Sequence, residues 1–97
     1  MMQELMHIKK YCVITFQSTS HALKAEKIMK QKQREILITP TLREISSSCG
    51  LSLKFKPEML KTIYADLLEN HAAVDEIYAV EVNQRKNVIR KIDPAEI

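Results

Sequence analysis

Glu35-Ile36-Leu37-Ile38-Thr39-Pro40, a non-periodic Thr41 to Gly50, and then Leu51-Ser52-Leu53-Lys54-Phe55 is the stretch that decides how the chain is read. The first run is too short and too β-branched for a helix. Proline has no ladder donor, so Pro40 should close that run as a strand end or sit at a sheet edge. The last run alternates apolar and polar residues, which predicts a strand with one buried and one wet face. Between two strands, the middle segment must be a loop.

That loop carries Arg43-Glu44-Ile45-Ser46-Ser47-Ser48-Cys49-Gly50, with the second of two cysteines and the chain's only glycine. A glycine beside the cysteine permits unusual backbone angles and close approach of a ligand. Successive backbone N–H groups in such a turn can form an anion-binding concavity, and Arg43 nearby would favour thiolate over thiol at Cys49. Cys49 is therefore a candidate reactive thiol, with Arg43, Ser46, Ser47, Ser48 and Gly50 as its surroundings. The competing reading is a solvated serine turn with Cys49 as a small apolar residue, since free cysteine is among the most buried residue types.

Upstream, Tyr11-Cys12-Val13-Ile14-Thr15-Phe16 reads as the first strand. Cys12 alternates with Ile14 and Phe16, which predicts an inert core cysteine. Tyr11, Val13 and Thr15 occupy the opposite face. Ser18, Thr19, Ser20 and His21 then offer N-cap residues before an amphipathic helix with Ala22, Ala25, Ile28 and Met29 on its apolar stripe. A helix N-terminus suits an anion or a thiolate, and His21 could orient or protonate a group there. The same residues would also appear at any capped helix. Downstream, Lys56-Pro57-Glu58 should open a second helix, with Leu60, Ile63, Tyr64, Leu67 and Leu68 repeating on one face. Asp75 to Val82 reads as the fourth strand.

The order strand, helix, strand, strand, helix, strand predicts an α+β, ferredoxin-like βαββαβ sandwich: a four-stranded antiparallel sheet with two helices on one face. Residues 1–10 read as an N-terminal extension, 11–82 as the domain, and 83–97 as a basic, flexible tail. In this topology the helix start at Ser18 to His21 and the loop at Arg43 to Gly50 share one end of the sheet. The sheet face opposite the helices, with Tyr11, Val13 and Thr15, would be open for a homodimer or a partner.

With 97 residues, the chain is long enough for one domain without staples. Its 45% hydrophobic and 28% charged residues are those of an ordinary globular protein. No apolar run is long enough for a membrane span, and no basic-then-apolar leader precedes the first strand, so a cytoplasmic protein with reduced thiols is expected. A net charge of +3 is too mild to argue for nucleic acid, and no strand carries the aromatic and glycine pattern of an RNA-recognition motif. No glycine-rich phosphate loop exists, and no cofactor is implied. Cys49, His21 and a carboxylate match no known ligand spacing, so no metal is expected.

Phe16 to Lys27, Pro40, and Arg43 to Leu51 resemble a small bacterial family of selenium/sulfur carrier proteins, over about Tyr11 to Val82. The resemblance implies that Cys49 carries sulfur or selenium, as a persulfide or selenenyl sulfide, between a cysteine desulfurase-type donor and an acceptor protein. It implies Gly50 as the turn beside the thiol, and Ser46 to Ser48 with Arg43 as its surroundings. A carrier needs one exposed thiolate, donors to hold the terminal atom, and a mobile loop. A stand-alone enzyme would need a base and a water-excluding pocket, and His21 is the sole candidate base, so a carrier or accessory role is the stronger expectation. The alternative is a small regulatory or protein-interaction module in which Cys49 is structural.

Overall fold

Tyr11 to Phe16 alternate as the sequence predicts, and in the computed structural model, which describes residues 5, 7–45, 47 and 49–97, they lie in the central strand of an antiparallel sheet. The elements run β1 (Lys10–Phe16), α1 (Thr19–Gln31), β2 (Leu37–Pro40), β3 (Leu51–Phe55), a 3-10 turn (Pro57–Met59), α2 (Leu60–Glu69), β4 (Val74–Asn83), β5 (Lys86–Lys91) and a closing 3-10 turn (Pro94–Glu96). The sheet order is β2-β3-β1-β4-β5, with every neighbouring pair antiparallel.

The fold is thus α+β with two helices, and the sheet has five strands where the sequence led us to expect four. Part of the basic tail is the fifth strand, reached by a tight turn in which Gln84 and Arg85 both adopt positive φ (50° and 69°). Such a turn normally advertises itself with Asn-Gly or Asp-Gly. Here Asn83-Gln84-Arg85-Lys86 supplies neither. Ile92, just beyond β5, returns to the core with 5% exposure.

Both helices cover one face. Ser18 caps α1 in extended conformation and its side chain accepts from the His21 N–H. This frees the helix to bury the predicted stripe of Ala22, Ala25, Ile28 and Met29 against Cys12, Ile14, Phe16, Leu53 and Phe55. From α2, Ile63 and Leu67 join them, while Leu60 and Tyr64 are only partly buried and Leu68 is exposed at the stripe's edge. Pro57 and Glu58 form a separate 3-10 turn before the helix proper. Asp66 is buried on α2, and its carboxylate accepts from Arg34 Nε at 2.8 Å, tying the exit of α1 to α2.

The opposite face is covered, which overturns the expectation of an open sheet. Tyr11, Val13 and Val80 form a second cluster with Ile45, and Ile8, Leu42, Tyr78, Val82 and Ile89 pack against it. Thr15 is also buried, its hydroxyl accepting the Glu76 N–H at 3.1 Å where the β1–β4 register shifts. Ser52 and Lys54, read as wet positions, are buried too. Lys54 pays for this with an ammonium 4.1 Å from the Tyr11 ring centroid, and desolvation lowers its pKa. From the connection between β2 and β3, Leu42 and Ile45 pack on this back face with Tyr11, Val13 and Val80, and the Thr41 hydroxyl reaches Ser52 Oγ at 2.7 Å. Tyr11, Val13 and Thr15 therefore offer no exposed surface to a second copy of the chain.

Candidate functional site

Strand register fixes where the cysteine loop sits. Thr15 pairs with Ser52, Pro40 with Leu51, and Phe16 with Val74. The exit of β1 at Phe16, the start of α1 at Thr19, and the connection from Pro40 to Leu51 consequently share one end of the sheet.

The sequence singles out two groups of residues at this end. At the start of α1, the Ser18 hydroxyl lies 2.7 Å from His21 Nδ1, so these two side chains engage each other. Thr19 and Ser20 are exposed on the first turn. In the loop, Arg43 is exposed in a turn closed by the Ile45 N–H to the Leu42 carbonyl at 3.0 Å. Neighbouring Glu44 accepts from Asn87 Nδ2 at 2.9 Å, which fastens this turn to β5. Among the described residues no hydrogen bond or ion pair joins Arg43 to Cys49. The expected electrostatic help from Arg43 is therefore not a direct contact. Ser46 and Ser48 lie outside the described residues.

Cys49 itself faces inward. It is 1% exposed and belongs to the helix-side core. Its Sγ donates to the Leu51 carbonyl at 2.9 Å, its N–H donates to Ser47 Oγ at 3.1 Å, and its carbonyl accepts from Thr41 Oγ1 at 3.0 Å. Every polar group of the residue is thus engaged locally. The exposed thiolate expected of a carrier is absent from this conformation. Gly50 is exposed and its φ is not positive; a Cβ there would meet nothing within 4 Å. Glycine is therefore not required by the backbone as it stands, contrary to the expected special turn.

Cys12 lies in β1 at 2% exposure, and burial pushes its thiol up to about 11, with Arg90 opposing the shift. It stays protonated at neutral pH and is a core residue. Among the described residues no group of three or more His, Cys, Asp or Glu is placed to hold a metal ion. No helix among them is long and apolar enough to cross a membrane.

Two residues that touch the cysteine loop escaped the sequence reading. Thr41 reaches both the Cys49 carbonyl and Ser52 Oγ, the latter at 2.7 Å, and Leu51 supplies the carbonyl that receives the thiol. A threonine after a strand-ending proline carries no signal of such a role, and a main-chain acceptor carries none at all.

The family model described as "Putative Se/S carrier protein-like" matches residues 11–79, from β1 well into β4. No curated protein and no solved structure matches the chain. The matched span covers most of the chain and contains the whole end of the sheet just described, and on that ground the protein belongs to the Se/S carrier protein-like family.

Proposed function

We propose that the protein takes sulfur or selenium onto Cys49 from a cysteine desulfurase-type donor and hands it to an acceptor protein. Membership of the Se/S carrier protein-like family, over a span that includes Cys49, carries this reading. In loading, the Cys49 thiol loses its proton and the thiolate attacks the terminal sulfur of the donor's persulfide. A sulfur–sulfur bond forms on Cys49, the donor's own bond breaks, and the donor cysteine leaves as a thiolate that takes up a proton. No external oxidant enters, because the transferred atom keeps its oxidation level. With selenium the bond on Cys49 is a selenenyl sulfide, and delivery repeats the exchange on the acceptor. One cysteine suffices, since Cys12 is held in the central strand.

The inward conformation fits the empty carrier. Only a protonated thiol can donate to the Leu51 carbonyl. An ionised or persulfidated Cys49 has no proton on Sγ, would set sulfur lone pairs against a carbonyl oxygen in a buried site, and so moves outward. The scaffold that carries this loop is a ferredoxin-like core of β2-β3-β1-β4 and two helices, extended by β5. We place the protein in the cytoplasm, where thiols stay reduced.

Burial of Cys49 and its hydrogen bond favour a second reading, a small protein-interaction module with a structural cysteine. Incubation with a cysteine desulfurase and cysteine, removal of the donor, and assay of cyanide-labile sulfur separates the two. Sulfur recovered with the protein supports the carrier. Its absence leaves the interaction module.

A further inference from the structure

The Thr41 hydroxyl lies between two partners, the Cys49 carbonyl at 3.0 Å and Ser52 Oγ at 2.7 Å. A threonine hydroxyl has one proton to give. That proton goes to the Cys49 carbonyl, which has none, so Ser52 donates to Thr41 and the donors run from Ser52 to Thr41 to Cys49. The Thr41 N–H adds a second tie, to the Gly50 carbonyl at 3.0 Å. Thr41 therefore grips the two consecutive carbonyls of Cys49 and Gly50. Its own anchor is firm: Ser52 is 1% exposed and sits in β3 between Thr15 of β1 and Thr39 of β2.

We propose that Thr41 is a positioning residue for Cys49: its hydroxyl holds the peptide after the cysteine so that the thiol points into the core, and release of this contact frees the thiol. The inference rests on reading Cys49 as the carrier thiol. The contact acts on the empty thiol, however, so its test needs no donor enzyme.

The test is the rate of alkylation by iodoacetamide of each cysteine in the native protein, followed by peptide mass spectrometry. Thr41→Val keeps the shape and removes the hydroxyl, leaving two buried partners unpaired. It is expected to speed modification of Cys49 about tenfold. Cys12, in the central strand, reacts only on wider unfolding, so in every variant it is expected to react more slowly than Cys49. Thr41→Ser restores the donor and the slow rate at Cys49. Ser52→Ala removes only the far end of the chain of donors and should speed Cys49 about threefold; this variant decides the matter if Thr41→Val does not fold. An unchanged Cys49 rate in the folded variants, a Cys49 that reacts no faster than Cys12 in the same protein, or a Thr41→Ser protein as fast as Thr41→Val would overturn the proposal. Failure of sulfur loading would instead sink the carrier reading and leave these rates as they are.

Discussion

Cys49 Sγ donates to the main-chain carbonyl of Leu51, 2.9 Å away and two residues further along the same chain. The contact uses the thiol proton, so anything that replaces this proton breaks it. A methyl disulfide on Cys49, made in a Cys12→Ser background, imitates a loaded sulfur. Amide exchange at Thr41 and Ile45, whose N–H groups are bonded to Gly50 and Leu42 within the same connection, is then expected to quicken about tenfold. Unchanged exchange at both amides would show that the loop holds its shape whatever the sulfur carries.

Ile45 pins the connection between β2 and β3 to the back of the sheet, where it is 6% exposed against Tyr11, Val13 and Val80. Ile45→Ala should destabilise the protein by about 2 kcal/mol, the low end of the range for such truncations because a surface segment can settle into the gap. Urea unfolding measures it. A loss below about 0.5 kcal/mol, typical of surface changes, would mean that the back face is not covered as described.

Cys12 links stability to alkaline pH. Its thiol is raised from an ordinary 9.0 to about 11 by burial. The unfolded chain thus sheds this proton first, so the stability it contributes is intact below pH 9 and is lost as pH climbs from about 9 to about 11, by at most about 3 kcal/mol. Lys54 acts with the opposite sign: its pKa is lowered by burial, and the cost of burying the ammonium is relieved as pH rises toward its ordinary 10.5. The difference in slope between wild type and Cys12→Ala removes the Lys54 contribution. Denaturant unfolding at several pH values should show a steeper alkaline decline in wild type. Parallel curves would contradict the buried-thiol assignment.

How much of this was legible follows from which signals are local. The α1 cap and stripe, the Pro40 strand end, the core position of Cys12 and the existence of β3 are written in residue type and spacing, and the structure carries each of them. β5 was not legible, because its turn holds Gln84 and Arg85 at positive φ without glycine and because edge strands are rich in charge, as Lys86, Arg90 and Lys91 make this one. The covered back face was not legible either. Ser52 and Lys54 look like wet positions until the Thr41 hydroxyl meets the one and the Tyr11 ring the other, with Leu42 and Ile45 packed on the same face, and that is a tertiary event. At the site, the sequence drew attention to Cys49 and Ser47, which are in contact, and to Arg43, which is exposed and has no hydrogen bond or ion pair to Cys49 among the described residues. Thr41 had no signal, since its role depends on a carbonyl and on a serine of the next strand.

The most direct test of the central claim is intact-protein mass spectrometry after incubation with a cysteine desulfurase and either cysteine or selenocysteine, on wild type, Cys49→Ser and Cys12→Ser. A reducible adduct of one sulfur or one selenium atom is expected on wild type and Cys12→Ser and is expected to be absent from Cys49→Ser. The same adduct on all three proteins, or on none, would contradict that claim.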